Sequence, residues 1–511
     1  MMEINLTKHT VKTEELLFTD LTEMLAEDTV HITGEKEIKK IIKCCSKTTV
    51  STKYVSDKTV TLEGTVCISV IYINSENCLA GHEHTAFFSK TVQSNADLSG
   101  GEVLVKVTDE KCSAKLTGDN SVNLAAGANL HICVKRQTEK EMICDIDAKN
   151  IEQLKGIAQC TTPIAVGEKN LVVEEEITLG NSKPAVACII RSNAQALIEE
   201  TKIMGNKVMV KGSVKVYILY HSVEGTRPQC FEESFPFSQL IDTNGIHDGC
   251  KCDAEVKVLF CEIAPRIMGD DEIRAFTASL KLAVTVKAYC EDEIPTIIDA
   301  YATSGGYAFK KDNITFKKLK ETFCDKFIAK KNLEFTDGAI GSVIDMWCEV
   351  KGYTGKFENG TLKISGILLV NLLTYDTEGV PNCYERPVDF EYTYKSEEKL
   401  KNPEAVFDIK VSHCSYTITG ANTVSVAAEP HITVSIYDNV QTDVLTEIVK
   451  DETFENATSR KSGIVLYFAS KGEKIWDIAR RYNSSAYEIK TLNSCNEDVL
   501  SAPKKFIIPT K

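Results

Sequence analysis

Three stretches of the chain carry one pattern, and that pattern limits the fold more than any other feature. They are residues 59–72, 207–220 and 361–372. In each, even-numbered residues are apolar and odd-numbered ones largely polar, the period of a half-buried strand. The third copy is more apolar on its outer face, through Ile367 and Leu369, as a strand covered on both sides would be. Each copy also places a glycine on its apolar face, at Gly64, Gly212 and Gly366. A glycine there weakens a strand, so its threefold recurrence predicts a bend or bulge at one place in every unit. The glycines are about 150 residues apart, a spacing that fits tandem domains and is too long for a solenoid repeat.

The segments after each glycine strand repeat as well. An aromatic-rich edge comes next, at Phe87-Phe88, Phe235-Pro236-Phe237 and Phe390-Glu391-Tyr392. Then comes an alternating strand around residues 103–107, 254–260 and 407–411, and a closing strand around 122–134, 273–286 and 424–436. Turn-rich strands without helix-period stretches predict a mainly β chain of antiparallel domains. A sandwich is the expected packing, with a partly open barrel as the alternative. The expected domains are 1–145, 146–300 and 308–445. Lead-in segments precede each glycine strand at 8–25, 170–179 and 316–333, of which 317–323 reads equally as helix or strand. Residues 301–306 and 453–462 are the most linker-like stretches, so a linker is expected over 446–461, with a hinged last module at 462–511.

That module reads strand, helix, helix, strand. An apolar strand covers 464–469, and Gly472 makes the turn out of it. Ile475, Ile478, Ala479 and Tyr482 fall on one helical face. Ser485-Ala486-Tyr487-Glu488 has capping-box spacing, predicting a second helix that buries Ile489 and Leu492. A closing strand is expected at 506–508, with Pro509 beyond it.

Charge and chemistry exclude several functions. The net charge of −14 argues against nucleic acid as main partner. The last module is the basic part, with eight Lys/Arg against five Asp/Glu, which suits an acidic protein partner. The first residues lack the basic start and apolar core of a signal peptide, and no apolar run is long enough to span a membrane. Nineteen cysteines, mostly within strand-like runs, suit a reducing cytosol, where they act as small apolar side chains. His247-Asp248 beside Cys250-Lys251-Cys252 has the residue types of a metal cluster but C-x-C spacing without a second pair, and reads as a solvated loop. His82-Glu83-His84 reads as an exposed loop and His413-Cys414 as a chance pair. The sequence holds no P-loop, Gly-x-Ser-x-Gly or dinucleotide fingerprint. The expectation is a non-enzyme that uses no cofactor and no metal.

Two resemblances carry a functional reading. The run Gly472-Glu473-Lys474-Ile475-Trp476-Asp477-Ile478-Ala479, with Leu492-Asn493 and Ile508-Pro509, resembles the LysM module over about a tenth of the chain. That family binds N-acetylglucosamine polymers in a groove between two loops. The resemblance places the groove on Lys471, Gly472, Glu473, Lys474, Ile475 and Trp476 on one side, and on Asn493, Ser494, Pro503 and Lys504 on the other. The family's usual Gly-Asp-Thr is here Gly472-Glu473-Lys474, which removes a small capping hydroxyl. Its Pro-Gly is here Pro503-Lys504, which removes the glycine that lets backbone approach a ligand. Both changes turn the module away from sugar. Trp476 flanks the apolar stripe and reads both as a cover on a small core and as an interface anchor.

The three glycine repeats, best at 207–220 with Phe235-Pro236-Phe237-Ser238, resemble the SPOCS domain of spore-coat proteins. Three copies ahead of a LysM module resemble the SPOCS-domain coat morphogenetic proteins. The resemblance implies a structural adaptor in the mother-cell cytoplasm, at the forespore surface and spore coat. Its LysM module would dock on a polymerising coat-scaffold ATPase of the stage IV sporulation protein A type, and its SPOCS domains would meet other coat proteins. A peptidoglycan- or N-acetylglucosamine-binding protein is the alternative.

Overall fold

The computed structural model describes residues 4–33, 36–180, 182–223, 225, 227–268, 272–335, 340–450 and 463–510. The chain is mainly β, as its periodicity predicts, and almost all of it is three copies of one antiparallel unit. In the first unit, β1 (Asn5–His31), β6 (Ser121–Asp147) and β5 (Glu102–Leu116) form one three-stranded sheet. The second sheet is β2 (Ile38–Ser56), β3 (Thr59–Asn74) and β4 (Leu79–Gln93). The two enclose a core that includes Met24, Val66, Ile68, Leu124 and Leu130, so the packing is a sandwich.

The second unit repeats this with β7 (Ile151–Thr178), β12 (Glu272–Ala302) and β11 (Lys251–Met268) against β8 (Val186–Met204), β9 (Lys207–Ser222) and β10 (Gln229–Asp242). Its sheets touch through the single pair Ile273–Val186. The third unit pairs β13 (Tyr307–Lys326) and β14 (Ala329–Glu334) with β19 (Thr423–Lys450), which also holds β18 (Pro403–Gly420). Its other sheet is β15 (Ile340–Glu358), β16 (Thr361–Asp376) and β17 (Pro381–Lys395). Residues 317–323 are therefore strand. Two boundaries move. Residues 446–450 extend β19, held by pairing of Lys450 with Tyr307, and are not linker. Residues 301–302 end β12, with Tyr301 buried. The rest of the expected linker, 451–461, lies outside the described residues.

The repeated glycine has a physical cause. Gly64, Gly212 and Gly366 pair across the sheet with Phe88, Phe237 and Phe390, whose rings lie over them. On the other side Gly64 and Gly212 pair with the residue that opens a β-bulge, at Val50/Thr52 and Ile198/Glu200, while in the third unit the bulge Val350/Gly352 lies opposite Ile367 and Leu368, one to two residues past Gly366. A Cβ at Gly212 would stand 2.0 Å from the Leu197 carbonyl oxygen and 2.7 Å from the Phe237 ring. The bulge and the ring together leave room for hydrogen alone.

The three units are not beads on a string. The first strand of each second sheet, β2, β8 and β15, carries another bulge, at Ile41/Lys43, Ile189/Arg191 and Val343/Asp345. The extra residue is an isoleucine every time: Ile42, Ile190 and Ile344. All three join one apolar cluster with Ile71, Leu219 and Leu373, which occupy equivalent positions seven residues past each glycine. Like units thus meet around a common axis, each burying a leucine or isoleucine there, worth about 1.5–3 kcal/mol apiece. Two further clusters join the long strand pairs β1/β6, β7/β12 and β13/β19, through residues such as Met142, Ile294 and Phe316, and Ile143, Ile297 and Leu445.

Polar groups line the same axis. Arg191 lies 3.5 Å from the buried Asp345 carboxylate and stacks on the Trp347 ring at 4.2 Å. Trp347 Nε1–H and Asn371 Nδ2–H donate to Glu349 Oε1 at 3.1 and 3.3 Å, and Lys43 pairs with Glu385. Burial pushes the Asp345 carboxyl up, against the pull of Arg191.

Cysteine usage departs from expectation at one place. Cys250 and Cys290 are joined as a disulfide, while sixteen other described cysteines are free. His82 and His84 stand on β4 rather than in a loop, and His84 Nε2 lies 2.8 Å from Asp28 Oδ2.

Candidate functional site

The last fifty residues form the expected strand, helix, helix, strand: β20 (Gly463–Ala469), α1 (Ile475–Arg481), α2 (Ala486–Leu492) and β21 (Lys504–Thr510). Ile475, Ile478, Ala479 and Ile489 are buried with Phe506 and Ile508 between the helices and the two-stranded sheet. Ser485 caps α2, its hydroxyl accepting the Glu488 N–H at 3.5 Å. Two details differ from expectation. Leu492 is 55 % exposed, because α2 ends there, one turn past its buried residue. Pro509 lies inside β21, opposite Ile464; a two-stranded sheet is all edge, so a missing N–H is tolerated.

The sequence-predicted groove residues fall into distinct roles. Gly472, at φ +89°, makes the turn after β20, and its N–H donates to the Leu500 carbonyl at 2.8 Å. Ile475 N–H donates to the Asp498 carbonyl and Leu500 N–H to the Glu473 carbonyl, both at 3.0 Å, so the two loops are laced together. Glu473 accepts from Ser470 N–H at 2.7 Å and from Tyr467 Oη at 2.8 Å, which together hold its carboxyl below the usual range. Lys474 is the first cap of α1 and makes no side-chain capping bond, as the loss of a small hydroxyl there implies. Ile475 is core.

Asn493 spends its amide on structure. Its Nδ2 donates to the Ile489 and Ile507 carbonyls, each at 2.8 Å, and its Oδ1 accepts Ile507 N–H at 2.7 Å. Ser494 is exposed at φ +47°. Lys471, Lys474, Pro503 and Lys504 are exposed. Pro503 and Lys504 line a depression of about 100 Å³ with Cys495, Glu497, Leu500 and Ser501, well under the roughly 300 Å³ of an ordinary small-ligand pocket.

Trp476 is where the module meets the body. Its ring packs edge-on against Tyr301 at 4.9 Å between centroids, and its Nε1–H donates to Asp299 Oδ2 at 2.7 Å. Arg480, one helical turn on, donates to both Asp299 oxygens at 3.2 and 2.9 Å, and Lys311 pairs with the same carboxylate. Tyr301, only 5 % exposed, donates its hydroxyl to the Ser484 carbonyl at 2.7 Å and belongs to the module's own core. Asp299 comes straight after the bulge Ile297/Asp299, which re-aims its side chain toward α1. Burial opposes its charge, but Lys311, Trp476 and Arg480 outweigh that and hold its carboxyl below the ordinary carboxylate range. The sequence reads 301–306 as linker-like and gives Asp299 no role. The signal available is a lone carboxylate and an aromatic, Asp299 and Tyr301, within the apolar run Ile297-Ile298-Asp299-Ala300-Tyr301.

With α1 seated on the body, the outer face of β20 and β21 points away from the module's core. It presents Ile464, Leu466 and Phe468, exposed by 75, 51 and 71 %, beside Ile507 and Lys505. A row of apolar side chains with Lys505 beside it can hold another polypeptide by surface contact.

The fold and this seam define a class: a three-repeat β protein with a small βααβ module clasped to it. Residues 37–117 and 185–264 match the family model described as SipL, SPOCS domain, about a third of the chain. The matched segments run from β2 to β5 and from β8 to β11, the same four strands of the first two units. Over them the chain is similar to the SPOCS domain, which supports a SPOCS-domain protein with a sporulation-related role. No curated protein and no solved structure matches the chain. Among the described residues no helix is long and apolar enough to cross a membrane.

Proposed function

We propose that the chain is a non-enzymatic adaptor of spore coat assembly. Its three SPOCS-type units form the body, and its βααβ end is a LysM-type module that binds a protein rather than a glycan. The partner is the polymerising coat-scaffold ATPase of the stage IV sporulation protein A type, met in the mother-cell cytoplasm at the forespore surface. The observation that carries this reading is the SPOCS match in two of three like-built units, ahead of a basic βααβ end. The laced loops, the small depression and the exposed Ile464-Leu466-Phe468 row support a protein partner over a sugar chain.

The test is a binding assay of the full chain against the polymerised scaffold and, separately, a chitin oligomer. The expected result is saturable binding to the scaffold, weakened tenfold or more by Lys474→Glu and lost on deletion of 463–510. Saturable chitin binding with no response to the scaffold would overturn the proposal.

A further inference from the structure

The His247–Cys250 loop, whose C-x-C spacing reads as no metal cluster, is joined in the fold by a third member from outside it. Cys250 precedes Lys251, which pairs with Tyr289, so the register of β11 and β12 sets Cys250 beside Cys290. Their Cα atoms are 4.2 Å apart, and both residues are buried, at 6 and 1 % exposure. The turn ahead of β11 brings His247 over them. One ring nitrogen of His247 and the two Sγ atoms all lie within 4.8 Å of one another. The turn is fixed by its own backbone: Cys250 N–H donates to the His247 carbonyl at 2.9 Å, and His247 N–H points at Cys250 Sγ at 3.4 Å. A backbone N–H aimed at sulfur stabilises a thiolate more than a thiol, because it meets negative charge.

We propose that His247, Cys250 and Cys290 form a redox-gated site for a divalent metal of the zinc class, separate from the module and its seam. Two thiolates and an imidazole are a borderline-soft donor set that suits tetrahedral Zn²⁺. With Zn–S near 2.3 Å and Zn–N near 2.0 Å, the donor atoms of such a site stand about 3.5–3.8 Å apart; the imidazole nitrogen already lies within 4.8 Å of both sulfurs, which need only part from each other. The exposed position of His247 leaves the fourth place to water and gives the ion an entry path.

The two states exclude each other. In the disulfide state the sulfurs are bonded to one another and carry no charge for a metal. Two equivalents of a small thiol reduce that bond, become one small disulfide and leave two protein thiols. Zn²⁺ then displaces both thiol protons to solvent and forms two Zn–S bonds and one Zn–N bond. Reoxidation by a small disulfide removes two electrons from the sulfur pair and releases the ion. Gly249 N–H donates to His247 Nδ1 at 3.2 Å, so a ligating Nδ1 gives up that bond and a ligating Nε2 requires the other tautomer.

The test uses the full chain, reduced with a small thiol, desalted without oxygen and titrated with Co²⁺ as spectroscopic probe. The expected result is one equivalent of Co²⁺ with a thiolate-to-metal charge-transfer band, displaced by Zn²⁺. His247→Ala should weaken binding 10- to 100-fold while still forming the disulfide, and Cys250→Ser/Cys290→Ser should remove the band. Cys44→Ser/Cys348→Ser, which alters thiols elsewhere, should leave it unchanged. The proposal fails if reduced protein shows no such band, if the band survives in the Cys250/Cys290 variant, or if His247→Ala leaves affinity unaltered.

Discussion

Replacing Asp299 by alanine should unclasp the terminal module from the body. The carboxylate accepts Trp476 Nε1–H at 2.7 Å and Arg480 at 2.9 and 3.2 Å, while holding Lys311. A hydrogen bond to a charged acceptor contributes about 1.5–3 kcal/mol. The Arg480 pair is half-exposed, so screening limits it to about 0.5–1 kcal/mol. The seam therefore loses roughly 2–4 kcal/mol, a 30- to 1,000-fold fall in the docked-to-undocked ratio. The Tyr301 ring and its bond to Ser484 remain, so Asp299→Ala/Tyr301→Phe should go further. The chain has two tryptophans, so its indole ¹H–¹⁵N spectrum holds two resonances, assignable with Trp476→Phe. In Asp299→Ala the Trp476 signal should shift upfield, as its N–H loses an anionic acceptor, and sharpen as the module tumbles separately. Because the Asp299 pKa is depressed on folding, its contribution is present above the ordinary carboxylate range and is lost as pH falls through the lower folded value. The wild-type signal should accordingly hold its place to about pH 4 and move only below it. A Trp476 resonance indifferent to Asp299→Ala refutes the clasp.

Gly212→Ala should cost about 3 kcal/mol or more, since its Cβ has no space between the Leu197 carbonyl and the Phe237 ring; a thermal midpoint equal to wild type would refute that reading. Arg191→Met should cost about 3–5 kcal/mol by stranding Asp345, and Arg191→Met/Asp345→Leu should regain most of it. Burial raises the Asp345 pKa, so the Arg191→Met loss should shrink as pH falls and the carboxyl takes up a proton; denaturant titrations at several pH values read both effects. Asn493→Ala should loosen β21 by about 2 kcal/mol, seen as faster hydrogen exchange over 504–510, since three hydrogen bonds are lost.

How much of the fold and site was legible depended on the range of the interactions involved. The strand period and the helical stripe of the βααβ end are local, set by residues within a few positions of each other, and the glycine shows in the same strand although the bulge facing it lies about 14 residues away. That Phe88, Phe237 and Phe390 lie over the three glycines was half visible: the aromatic edge stood out, and its register did not. The common axis was hidden because Ile42, Ile190 and Ile344 are ordinary apolar residues until a bulge turns them inward. Asp299 and Tyr301 were hidden for the opposite reason. Polar and small neighbours at 302–306 look like a linker, and the partner that buries Tyr301 lies about 180 residues away. Cys290 was invisible as a cluster member because the third donor comes from the neighbouring strand rather than from the same loop.

The residue just after each axial bulge is Lys43 in the first unit, Arg191 in the second and Asp345 in the third. Separate, identical subunits assembled the same way would be obliged to set this side chain against its own likeness where Arg191 now meets Asp345: cation against cation, or anion against anion, at a buried contact. Covalent linkage into a single polypeptide lifts that obligation. Each copy is free to drift, and here the second and third have become opposite in sign, so a point of self-repulsion has turned into a lock that fixes which neighbour stands where.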